Sequence, residues 1–233
     1  FVSLFELLYG RLRVERIALD DTRVVVERPE DAPWYDAEGF DLRDIFDYPD
    51  SHGFRLTGRR CAIEIRNIVG GTRAEIENIG FDVAKLAGAK DLTANAEGYL
   101  GGDRAKAFRM RLSMAAFDDF EWTAEHKNLS ADDVNLILPS PHHFVSAGVV
   151  HPSVRVSARP GQDLFVSVES PYEDLVLRDQ PDFIQPANGK LAAYATYAPE
   201  SRLFSITTAK TESPQLSGAL EGSVQFGGMY PEF

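Results

Sequence analysis

The sequence predicts a mainly β protein, an antiparallel meander curled into an elongated groove or closed as a two-layer sandwich, with a short N-terminal helix. Three observations carry this expectation. Short segments that alternate apolar and polar residues recur along the chain, as strands with one dry face should. Separators such as "RPGQD", "SPYE", "QPANG" and "APES" place Pro and Gly, which fix or free φ, between them. Finally, in three segments the alternation slips by one residue. In "RLRVERIAL" Leu12 and Val14 are followed by Ile17, in "IEIRNI" Ile63 and Ile65 by Ile68, and in "AEIENIGF" Ala74 and Ile76 by Ile79. An inserted residue returns the next apolar side chain to the same face only if the backbone bulges, and a bulge bends and twists the strand. The slip therefore predicts bulges at Glu15–Arg16, Arg66–Asn67 and Glu77–Asn78. Two short strands meeting at each slip is the alternative.

Residues 3–9, with Leu4, Phe5, Leu7 and Leu8 close together and Gly10 as a stop, read as the short helix. "RLRVERIAL" and "TRVVVER" follow as strands across "DD", which suits a tight hairpin. Residues 29–41 hold two prolines, a glycine and many acids and read as a loop, and "DLRDIFDYP" as a turn or two of helix before Pro49. "FRMRLSM" sets Phe108, Met110, Leu112 and Met114 against Arg109 and Arg111, and "DFEWTAEH" places Phe120 and Trp122 on one face. "SVRVSA", "LFVSVES", "DLVLRD", "GKLAAYATYA", "RLFSITT" and "GSVQF" complete the strands. The whole reads as one β-rich module with a sub-boundary near 139–150.

Composition narrows the function classes. Apolar residues make up 44% of the 233, enough for one large β domain or two smaller ones. No apolar stretch approaches the roughly 20 residues of a membrane-spanning helix. The chain begins with Phe and carries no signal-peptide pattern, so it reads as a piece whose anchoring segment lies elsewhere. A net charge of -12 disfavours nucleic acid and anionic surfaces, which are normally gripped by basic patches. The single Cys61 excludes an intrachain disulfide and a zinc site of several thiolates.

Little in the sequence looks like catalysis. His142 and His143 are adjacent, so a strand would point them to opposite faces, and His151 lies beyond Gly148. A metal site needs converging ligands. The pairs Asp20–Asp21, Asp118–Asp119 and Asp132–Asp133 fall where turns and helix caps are expected. "GYLGGD" lacks the Lys and Ser/Thr of a phosphate-binding loop and reads as a turn, and no Gly, Ser and Gly nucleophile elbow is present. The expectation is a non-catalytic protein without a cofactor.

A helix leading into "LLYGRLRVERIALDDTRVVVERPEDAPW", strand pairs such as "NAEGYL" and "GKLAAYATY", and a return to Gly-led strands near the end resemble the AsmA-like or TamB-like family of bacterial envelope proteins. The likeness lies mainly in residues 1–28, with looser support to about residue 226. The resemblance implies an N-terminal transmembrane anchor, a periplasmic location and a long curved sheet with an apolar groove. It also implies a role in phospholipid transfer between membranes or in outer-membrane assembly. "SADDVNLILPSPHHF" has no counterpart in it.

With an acyl-chain ligand as the expected partner, the groove lining falls on the apolar faces of the strands. In the first half these are Leu12, Val14, Val24, Val26, Ile63 and Ile65, then Ile76, Phe81, Met110 and Leu112. In the second half they are Val154, Val156, Val166 and Val168. Burial of each methylene contributes about 0.8 kcal/mol, so such a face needs no specific polar contact. The alternative is a carbohydrate- or protein-binding sandwich that uses loop aromatics Trp34, Tyr35, Tyr48 and Tyr172.

Overall fold

The computed structural model describes residues 16–28, 53–67, 72–116, 118–137, 145–177, 188–198, 201, 203–214, 217–227 and 230–232. Most of these lie in strands of mixed sheet, with one short helix among the described residues. The expected N-terminal helix, the 29–41 loop, "DLRDIFDYP", Leu12, Val14, His142 and His143 lie outside them. The chain divides into two compact units. The first comprises residues 1–103 and 109–116, the second 104–108 and 117–233.

In the first unit, β1 (Arg16–Asp20) and β2 (Arg23–Arg28) both pair parallel with β3 (Phe54–Asn67). Antiparallel β4 (Thr72–Lys85) and β5 (Leu92–Leu100) follow, with β6 (Ala107–Ala116), of which residues 109–116 belong to this unit, next to β5. The expected hairpin across Asp20 and Asp21 is thus corrected. Asp20 faces Arg59 and Arg23 faces Ala62, so the register is the same on both sides of "DT", and β1 and β2 are one interrupted strand. The ladder runs through the break, because the Asp21 N–H donates to the Arg59 carbonyl (3.1 Å) and the Ala62 N–H to that of Thr22 (2.9 Å). A two-residue turn reverses a chain only if the second strand finds its partner in the first. Here β3 offers both segments a longer edge.

The bulges exist, but only one stands where the slips predict it. Asn78 is left-handed (φ 51°) and is the extra residue of β4, opposed by single residues of β3 and β5. Arg66 and Asn67 sit in regular ladders with Arg73 and Thr72 and with Glu27 and Arg28, so no bulge occurs there. Arg16 is in register with Arg55, while Glu15 lies outside the described residues. The bulge of β3 is instead at Arg59–Arg60, two residues against Gly80, with Arg60 left-handed (φ 52°) opposite left-handed Asp21 (φ 49°). Left-handed conformations are costly for residues with a side chain, least so for Asn and Asp. At Arg60 the guanidinium supports the break. Its Nε donates to Asp21 Oδ1 (2.7 Å), and one Nη donates to Asp20 Oδ1 and Asp21 Oδ2 (2.8 Å each).

The second unit is an antiparallel run of β7 (Asp119–His126), β10 (Ser153–Ala158), β11 (Leu164–Leu177), β12 (Asn188–Ala198), β13 (Leu203–Glu212), β14 (Ser217–Gly227) and β15 (Tyr230–Glu232). Two short strands, β8 (Leu129–Ser130) and β9 (Val145–Val150), join it through β11. Helix α1 (Ala131–Ile137) packs on β8 and β9. It begins with a capping box in which Asp133 Oδ2 accepts from the Ser130 N–H (2.8 Å) and hydroxyl (2.6 Å), while Ser130 Oγ accepts from the Asp133 N–H (3.3 Å).

"SPYE" is not a separator, since Ser170, Pro171, Tyr172 and Glu173 lie inside β11. Pro171 is tolerated because one edge of β11 changes partner there, from β10 up to Glu169 to β9 from Tyr172 onward. A residue without an N–H fits where the ladder is already interrupted.

Within each unit, contacts between elements run between ladder neighbours, apart from α1 on β8 and β9. Among the described residues the strands of each unit belong to one hydrogen-bonded sheet.

Candidate functional site

Residues opposed across a ladder lie on the same side of a sheet, so register sorts the side chains onto faces. In the first unit one face carries the rows Val24–Ile63–Ile76–Leu100 and Ile17–Leu56–Val83–Ala94. Between them lie Cys61 opposite Ile79 and the row Leu19–Gly58–Phe81–Ala96. The three-residue steps from Gly58 to Cys61 and from Ile76 to Ile79 span the bulges, which is how the apolar side stays continuous through an odd insertion. The face is dry in its middle and open toward β1 and β2. Ile79 is 3% exposed, whereas Ile17 and Val24 are each 47% exposed.

The expected lining residues Val24, Ile63, Ile76 and Phe81 therefore share one face. The backbones of Val26 and Ile65 are paired in the next row. Met110 and Leu112 are half-buried on β6 and alternate with exposed Arg109 and Arg111.

The second unit repeats the pattern. Val154 lies between Ala124 and Val168, and Val156 between Trp122 and Val166. The rows continue through Ala193 and Ala195 on β12 to Ala209 and Ile206 on β13, so Val154, Val156, Val166 and Val168 share one face. Again a three-residue step, Ile206 to Ala209, spans a register shift, here at Thr207–Thr208.

In both units a ring of this face lies over a strand glycine directly opposite, Phe81 on Gly58 and Tyr172 on Gly189. Tyr172 is consequently not an exposed loop aromatic. It is 4% exposed within β11, and its hydroxyl lies 3.0 Å from Thr211 Oγ1. Trp34, Tyr35 and Tyr48 lie outside the described residues.

The opposite faces are polar and cross-linked by charge. In the first unit Glu64, 1% exposed, accepts from Arg23 (3.0 Å) and Arg66 (2.6 Å), and Arg23 also reaches Glu75 (2.5 Å). Arg55 grips Asp82 with two donors, its Nε at 2.9 Å from Oδ1. The hydrogen bond from Arg55 holds the Asp82 carboxyl below its ordinary value, as that from Arg60 does for Asp21. In the second unit Glu169 accepts from Lys190 (2.6 Å) and the Tyr194 hydroxyl (3.0 Å), and Arg155 pairs with Glu121 (2.8 Å). Lys190, and next Tyr194, lower the Glu169 carboxyl, while the bond to Glu169 raises the Tyr194 phenol.

The described histidines serve the backbone. His151 Nδ1 accepts the Asn128 N–H (3.1 Å), which puts the ring proton on Nε2, 3.7 Å from Glu173 Oε1. His126 Nδ1 donates to the Lys127 carbonyl (2.9 Å), and burial pushes its imidazole below the usual value. Asp133, gripped by Lys106 (2.7 Å) as well as by Ser130, belongs to the capping box. Burial alone would raise its carboxyl, but these donors outweigh it and the net shift is downward. Asp20 and Asp21 support the β1–β2 break. Among the described residues no group of three or more His, Cys, Asp or Glu is arranged to hold a metal ion.

Sequence reasoning missed Gly58, Gly189 and the Arg59–Arg60 bulge. A glycine on an apolar face leaves a gap in the hydrophobic count, so a bulge beside it shows no slip. The usable signal was a glycine within a strand segment, which often marks a bulge or a close approach. Compared with known proteins, the chain matches no family model, no curated protein and no solved structure.

Proposed function

We propose that this chain is a non-catalytic module of the bacterial envelope whose apolar sheet faces hold acyl chains. On this reading it serves phospholipid transfer between membranes or outer-membrane assembly, in the periplasm, as part of a membrane-anchored protein. One observation carries the reading: in each unit an apolar face crosses successive strands of one hydrogen-bonded sheet, and bulges keep that face continuous where the alternation slips. Such a face gains stability by meeting apolar matter, and large exposed apolar patches are uncommon without a partner. Acyl chains suit it because they need no polar contact. The envelope setting and the lipid class rest on the resemblance of residues 1–28 to AsmA-like and TamB-like proteins.

Native mass spectrometry of the chain purified from bacteria tests the acyl reading. Bound phospholipid is expected, lost in Ile76→Asp and Val166→Asp variants that remain folded by circular dichroism. Bare wild-type protein, or lipid retained in both folded variants, would overturn it.

A further inference from the structure

On the polar face of the first unit lies an open depression of about 490 Å³, lined by Gly80 and Asp82 of β4, Asn95 and Glu97 of β5, and Arg109 and Arg111 of β6. Its origin is local. Gly80 presents no side chain between the polar positions of β4, and a Cβ there would meet nothing nearer than a Glu97 methylene at 4.0 Å. One wall is already engaged, because Asp82 is gripped by Arg55. The other groups are not. The side chains of Arg109, Arg111, Glu97 and Asn95 make no hydrogen bond or ion pair among the described residues, whereas those of Arg23, Arg55, Arg60 and Arg66 of the same unit are paired.

The Cα atoms of two arginines two residues apart on one strand stand about 6.5 Å from each other, and their side chains leave the same face. That spacing lets both reach the oxygens of one tetrahedral anion, and planar donor forks are suited to phosphate. Facing them, an unengaged carboxylate and an amide oxygen can accept from a donor group. The volume suits a small ligand.

We propose that this depression binds a phosphoester carrying a nearby ammonium or hydroxyl group, with Arg109 and Arg111 on the phosphate and Glu97 and Asn95 on the donor. Phe81, Ala96 and Met110 also line the depression, but by alternation their side chains belong to the other face of the sheet, and the site does not rest on the acyl-chain reading. The same chemistry is offered by a free phosphoester and by the headgroup of a lipid at a membrane surface.

The test is amide NMR of the labelled chain titrated with glycerophosphoethanolamine and, separately, with inorganic phosphate, alongside cosedimentation with phosphatidylethanolamine–phosphatidylglycerol vesicles. Shifts are expected at residues 80–82, 95–97 and 109–111. Loss of a charge-assisted contact predicts about tenfold weaker binding for each of Arg109→Gln and Arg111→Gln. Glu97→Gln is expected to weaken the ammonium diester but not inorganic phosphate. Arg-dependent binding of the soluble diester alone assigns a free ligand, and Arg-dependent retention on vesicles assigns a headgroup. Absence of localised shifts together with vesicle retention unchanged in the folded double variant overturns the site. An equal response of both ligands to Glu97→Gln overturns the assignment of the donor.

Discussion

The two units interrupt their strands at matching levels in neighbouring strands, but by different means. In the first, the level is marked by left-handed Asp21, Arg60 and Asn78, and the Arg60 guanidinium ties it to Asp20 and Asp21. In the second, β7 gives way to β8 around left-handed Asn128, and β9 to β10 at His151–Pro152, while β11 continues through Pro171. There the backbone groups are satisfied by neighbours out of the regular ladder. The His126 N–H donates to the Pro152 carbonyl and the His151 N–H to that of Pro171 (2.9 Å each), while the Asn128 N–H uses the His151 ring. An interrupted strand thus survives when its orphaned polar groups find partners. In the first unit the backbone bonds of Asp21 and Thr22 to β3 serve this, in the second the proline carbonyls and an imidazole.

The largest expected difference between the units lies in their covered glycines. A β-carbon at Gly189 would run into the backbone carbonyl of Glu212 as well as Tyr172, whereas at Gly58 the three nearest atoms all belong to the Phe81 ring. Overpacking costs about 1–3 kcal/mol, so Gly189→Ala is expected near the upper end and Gly58→Ala near the lower, by denaturant unfolding. Adding Phe81→Leu should recover part of the Gly58→Ala loss. Equal losses at the two glycines would remove the distinction.

Acid should separate the units next. His126 has a lowered folded value, so the unfolded chain binds the proton more readily, and stability falls as pH drops below about 6.5. Asp133 is also lowered, and its contribution is lost at more acid pH, as the carboxyl protonates below 3.8. The described first unit has no histidine, and its shifted Asp21 and Asp82 titrate only in that lower range. Hydrogen exchange at pH 7 and pH 5 should therefore show protection falling first around β7, β8 and α1. His126→Gln should flatten that dependence, and Asp133→Ala should cost about 1–2 kcal/mol at pH 7 through the lost cap.

The smallest effect concerns backbone handedness. Asn78→Gly should be close to neutral, whereas Asn78→Val should cost about 1 kcal/mol or slightly more, because a β-branched residue resists positive φ. Thr207→Val, at a register shift that is not left-handed, should change stability less. Thermal unfolding of the three variants makes the comparison.

The slip at Ile76 and Ile79 was legible because both flanking residues are large and apolar, so the extra residue shows in their spacing. The slip from Ile65 to Ile68 had the same look, but Arg66 and Asn67 keep regular register and Ile68 lies outside the described residues. Of the expected lining, the Val154, Val156, Val166 and Val168 set could be read from plain alternation. The polar depression could not, because it depends on β5 bringing Gly80 of β4 and Arg109 and Arg111 of β6 to either side of Asn95 and Glu97.

By itself the sequence determined that the chain is strand-rich and that each strand has one apolar side, because alternation is a local property of the extended backbone. Only the tertiary structure decided direction and register. "RIALD" and "RVVVER" would serve equally in a hairpin or side by side on a third strand. The choice fell to backbone hydrogen bonds and cross-strand contacts with β3, which lies some forty residues farther along the chain and leaves no mark on the local pattern.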